Sequence, residues 1–97
     1  MTLAVFHVAN EQRVAFREAW QALCLAFLDL PQPPSTAMTL IQAADDPEVF
    51  QSLGAWRSLE DIRAMRQDAS IAPLMAAMMA LTERAQPGEF VVLDVVG

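Results

Sequence analysis

The chain has 97 residues, of which 55% are hydrophobic, 12 acidic and 6 basic, with a formal net charge of -6 at pH 7. That length holds one domain, residues 1–97, and a single Cys24 with a single His7 excludes a disulfide scaffold and a Cys/His zinc module. The acidic balance and the absence of any lysine argue against a phosphate backbone as partner, so no nucleic acid is expected.

Residues 2–8 (Thr-Leu-Ala-Val-Phe-His-Val) are short, β-branched and aromatic, and predict a strand. No basic n-region precedes the apolar run, so it does not read as a signal peptide. No apolar stretch reaches the roughly 18 residues of a membrane span, and no membrane partner is expected. With a lone thiol, the expected compartment is the cytoplasm. Asn10 is placed to cap a helix over 11–30. There Phe16, Trp20, Leu23, Phe27 and Leu30 recur at steps of four and three, leaving Arg13, Arg17, Glu18 and Gln21 on the opposite side. Pro31, Pro33 and Pro34 end it.

Residues 36–43 predict a second strand. Asp45-Asp46-Pro47 then makes a turn; residues 48–56 fit either a strand or a helix, and the turn before them favours a third strand paired in a hairpin. Ser58 and Asp61 form a capping box that opens a helix from Leu59 to about Gln67. Ser70 is expected to cap a further helix, with Pro73 in its first turn and Leu74, Met78 and Leu81 as its stripe. Gln86-Pro87-Gly88 is expected to stop that helix, and residues 89–96 to form the last strand. The order β-α-β-β-α-α-β matches an α+β, ferredoxin-like split βαβ plan with a four-stranded antiparallel sheet.

The first and last strands are apolar on both sides. In the first, Leu3, Val5 and His7 oppose Ala4, Phe6 and Val8. A sheet covered by helices on one face should be polar on the other. This one is not, so a homodimer packed sheet to sheet is expected.

The segment Asp46-Pro47-Glu48-Val49-Phe50, followed by Gly54-Ala55-Trp56-Arg57-Ser58-Leu59-Glu60-Asp61, resembles the signature region of the antibiotic biosynthesis monooxygenase family. That resemblance implies a dimeric α+β barrel with one pocket per subunit, between the sheet and its helices. Some members oxidise aromatic polyketides or quinols with molecular oxygen, using neither metal nor flavin; others degrade haem. The expected activity is therefore cofactor-independent oxygenation of a phenol, quinol or anthrone. The alternative is a non-catalytic dimeric ligand-binding or interaction module of the same fold.

Trp56 falls on the family's tryptophan, which lines the pocket of oxygenating members with an Asn four residues earlier; here that position is Ser52, and alternation puts Phe50 on the same face. Trp56 can equally pack the sheet against the helices. His7, the only imidazole, is a candidate base for a phenol or a hydrogen-bonded core or rim histidine. The haem-degrading branch uses a Trp and a His on the later helices, where this chain has Met65 and Met75, so haem is not expected and no cofactor is called for.

Met65, Met75, Met78 and Met79, with Met38, can line a pocket for flat aromatics or simply fill a core. Arg66 is one turn beyond Ile62 and can reach a pocket mouth to hold an anion, or lie on a solvated face. Cys24 reads as a small buried hydrophobe. Asp45, Asp46 and Glu48 lack a metal-ligand pattern, and no metal site is expected.

Overall fold

The computed structural model describes all 97 residues. Its elements follow the expected order: β1 (Thr2–His7), α1 (Arg13–Phe27), β2 (Thr39–Gln42), β3 (Val49–Gly54), α2 (Leu59–Gln67), α3 (Ala72–Met79) and β4 (Arg84–Glu89). The strands form one antiparallel sheet in the order β2-β3-β1-β4, the split βαβ arrangement. No helix is long and apolar enough to cross a membrane.

The register sorts every strand residue onto one of two faces. Thr2, Ala4 and Phe6 of β1 stand opposite Gly54, Ser52 and Phe50 of β3 and Glu89, Pro87 and Ala85 of β4. This face carries the helices. Phe6, Phe50 and Ser52 are buried on it, and Phe16 stacks its tilted ring between those of Phe6 and Phe50, with centroids 5.2 and 5.3 Å away. Leu23 and Phe27 of α1, Ile62 and Met65 of α2, and Ile71 and Met78 at α3 complete the core. The step-of-four-and-three pattern of α1 thus serves its purpose of filling the space over the sheet.

The other face has no cover. Leu3, Val5 and His7 of β1 lie beside Val49, Gln51 and Leu53 of β3, all half-buried, and Ile41 of β2 is 46% exposed. The total accessible area is 6206 Å², above the roughly 5,500 Å² that surface scaling gives for a folded chain of this mass.

Four local expectations are corrected. First, the last strand is Arg84–Glu89 and not residues 89–96. Pro87 does not break it, because β4 is an edge strand and the missing N–H can face outward. Main-chain bonds from Phe90 to Met1 (2.8 Å) and from the Met1 amine back to Phe90 (2.9 Å) close the ladder with β1. The apolar run beyond lies outside the sheet, with Leu93 86% and Val96 97% exposed. Second, α1 begins after a 3-10 turn at Asn10–Gln12, with Gln12 in the capping position. Asn10 instead accepts a bond from the Arg13 guanidinium at 3.1 Å. Third, α1 stops at Phe27, before the expected Leu30. Fourth, Ser70 does not cap α3. Its backbone N–H and hydroxyl both donate to Asp68 Oδ1, and α3 starts from Ile71 without a side-chain cap.

Ser58 does cap α2, accepting from the Asp61 N–H at 3.1 Å.

Candidate functional site

A cavity of about 400 Å³ opens between the helix face of the sheet and all three helices. That is within the range of small-molecule sites. Its floor is Thr2, Ala4 and Ser52, with Pro87 and Gly88 at the β4 side. Trp20, Leu23, Cys24 and Phe27 of α1 form one wall. Met65 and Arg66 of α2, and Met75, Met78 and Met79 of α3, form the others, while Met38 enters from ahead of β2. Gly54 makes room for Met38: a Cβ there would overlap the methionine sulfur. Five of the chain's six methionines therefore line one space. Their flexible, polarisable side chains suit a flat apolar guest.

Polar groups are few. Ser52, buried on β3, accepts a hydrogen bond from Trp20 Nε1 at 2.9 Å. Its hydroxyl oxygen is thus held from α1, and its proton remains available to donate. Arg66 is the only charged residue in the lining. Its Nε is 3.4 Å from Glu89 Oε1, so the pair bridges the end of α2 and the end of β4. Cys24 is pushed up to about 12 by burial, which keeps it a neutral thiol. No aspartate, glutamate or histidine lines the space.

Of the residues singled out by sequence, Ser52, Met65, Arg66, Met75 and Met78 meet in this cavity. Phe50 does not; it packs on Phe16 in the core. Trp56 lies one layer behind. It is buried edge-on against Phe27 at 5.2 Å and donates from Nε1 to Thr2 Oγ1 at 3.3 Å, touching two lining residues without lining the space itself. His7 is on the uncovered face, where its Nδ1 is 3.2 Å from Arg84 Nη2, and the sheet separates it from the cavity. In the sequence Trp20 stands only as one residue of a helix stripe; the local signal is an indole N–H on an apolar face, which needs an acceptor, and its partner Ser52 is not legible there.

No family profile and no curated protein matches the sequence. Solved structures do match, over nearly the whole chain. SnoaB, a cofactor-independent oxygenase from Streptomyces nogalater, superposes with a TM-score of 0.81 at 18% identity, over 98% of this chain and 93% of that one. A Nitrosomonas europaea protein assigned provisionally as an antibiotic biosynthesis monooxygenase gives 0.79 at 21% identity, over 99% and 91%. The Mycobacterium tuberculosis protein Rv0793 gives 0.80 at 18% identity, over 99% and 96%. The fold is therefore that of the antibiotic biosynthesis monooxygenase structures, as the Trp56 segment implies. At these identities the fold is what is shared.

Proposed function

We propose that the chain is a cofactor-independent monooxygenase acting on a flat, electron-rich aromatic, a phenol, quinol or anthrone, bound in the cavity over the sheet. The observation that carries this reading is the cavity itself: a methionine-lined space with one serine donor and one cation, on a fold shared with a named cofactor-independent oxygenase.

For an anthrone-type ring CH2, one proton is lost to give a carbanion. Its electrons pass to molecular oxygen as a C–O bond forms, and the resulting hydroperoxide loses water to leave a carbonyl. One oxygen atom stays in the product, the other leaves as water, and no external reductant is consumed. The protein's part is to exclude bulk water, orient the ring, and donate to the developing oxyanion. Ser52 is the proposed donor, held in place by Trp20. Trp56 supports the floor through Thr2 and Phe27. With neither imidazole nor carboxylate in the lining, the proton goes to water at the mouth and the substrate supplies its own acidity.

The same absence favours the second reading, a non-catalytic dimeric module that binds a similar ligand. Oxygen uptake with a panel of anthrones and hydroquinones separates the two. The oxygenase reading expects uptake above the no-protein control, reduced about a hundredfold or more in Ser52→Ala, as for loss of one oxyanion donor, and unchanged in His7→Ala. Binding without uptake across the panel would leave the module.

The proposal includes a second copy of the chain, packed through the uncovered sheet face around Leu3, Val5, Val49 and Leu53, which are apolar and only half-buried in the single chain.

A further inference from the structure

The cavity is lined by 19 residues, 14 of them hydrophobic, and only Arg66 brings a charge. Cys24 stays neutral at ordinary pH, and the oxygen of Ser52 is already engaged by Trp20. The lining is therefore net cationic at one point, its mouth. There the guanidinium meets one carboxylate oxygen, Glu89 Oε1, through Nε alone, at 3.4 Å. A charge-assisted contact of full strength is shorter and, for arginine with a carboxylate, frequently two-pronged. Both side chains are also about a third exposed, at 35% and 29%, where such a pair contributes little. The two Nη nitrogens of Arg66 have no partner in the chain. Arg66 is thus a fork with both Nη nitrogens unused, facing an apolar space and lightly held by an exchangeable counter-ion.

We infer that the site selects an anionic aromatic, a ring bearing a carboxylate or an ionised hydroxyl, whose charged oxygen takes Arg66 and displaces Glu89 from it. This rests on the reading of the cavity as the ligand site and adds the charge of the ligand. Its chemistry fits a cavity without a base where the charge is an ionised hydroxyl: a phenolate held at Arg66 already carries the electron pair that passes to oxygen, whereas a carboxylate would only anchor the ring and its reacting proton would still go to water. Glu89 then acts as a place-holder that keeps the guanidinium neutralised while the cavity is empty.

The test is calorimetric titration at pH 7 with two probes of one shape, 2-naphthoate (ionised) and 2-naphthol (neutral). The native chain is expected to bind naphthoate about tenfold or more tightly than naphthol, the worth of a charge-assisted hydrogen bond. Arg66→Met, which keeps the stem and removes the charge, should abolish that preference and leave naphthol binding in place. Glu89→Gln should strengthen naphthoate severalfold and not move naphthol, a result that a purely structural ion pair would not give. Circular dichroism of both variants checks that they fold. Equal affinity for the two probes, or a preference that survives Arg66→Met, overturns the inference while the cavity reading stands. Binding of neither probe overturns both.

Discussion

The two faces of the sheet both carry apolar strand residues and end in different states. On β1, Phe6 is almost wholly buried under Phe16, while its neighbour Val5 is half-buried with nothing over it. On β3, Phe50 and Ser52 are buried, and Val49, Gln51 and Leu53 alternate with them only partly covered. Strand propensity does not distinguish the two sets, because both suit a pleated surface. The helices do. α1 and α3 pack against one another over one face and leave room there for a cavity. The uncovered face has no helix; Leu3, Val5, Val49 and Leu53 are apolar there, beside the polar His7, Gln51, Arg84 and Gln86. The lesson is that one face is finished within the chain and holds the cavity, while the other is left open in the single chain, where the proposed second copy would pack.

The largest expected effect is on the finished face. Phe16→Ala removes a ring that bridges Phe6 and Phe50, and should destabilise the fold by about 3–5 kcal/mol in chemical denaturation. A loss below 1 kcal/mol would mean the core is not centred there. Next is the open face. Leu53→Glu places a charge at its centre and should convert the assembly to monomers by light scattering, towards the 10.7 kDa of one chain. If the native chain is already a monomer, the contrast between the faces needs another explanation. Smaller is Val5→Thr, which on a half-exposed strand face should cost under about 1 kcal/mol of single-chain stability.

The smallest effect concerns Cys24 on the finished side. A thiol raised from 9.0 to about 12 by burial is protonated in the folded chain and ionises more easily when unfolded. Its contribution is therefore fully present below pH 9 and is lost as pH rises from there towards 12. At pH 8 the native protein should react with iodoacetamide far more slowly than the same chain in denaturant. Equal rates would place the thiol in solvent.

Much of this contrast was legible in the sequence. The alternation of β1 and β3, the Ser58 cap and the α1 stripe all gave elements close to those observed, since each is a local pattern with a local physical cause. β4 was not, because Pro87-Gly88 looks like a stop and Val91-Val92 looks like a strand; only the sheet order shows that Pro87 is at an edge. For the site, alternation put Ser52 on the covered face, and helical spacing brought Met65, Met75 and Met78 together. Spacing cannot separate a cavity wall from solid core, which is why Phe50 and Met75 looked alike and differ. The Trp20–Ser52 bond joins residues 32 apart, and no local pattern reports it. His7 shared a side with Leu3 and Val5 in the sequence, and the helices chose the other side.

The most direct test uses the methionines. Five of the six line the cavity, and Met1 does not. With 13C-labelled methionine methyls, titration of 2-naphthoate should shift the Met65, Met75 and Met78 signals together, along one saturating curve, and leave Met1 in place. Shifts confined to Met1, or saturable binding that moves none of the cavity methionines, would contradict the account.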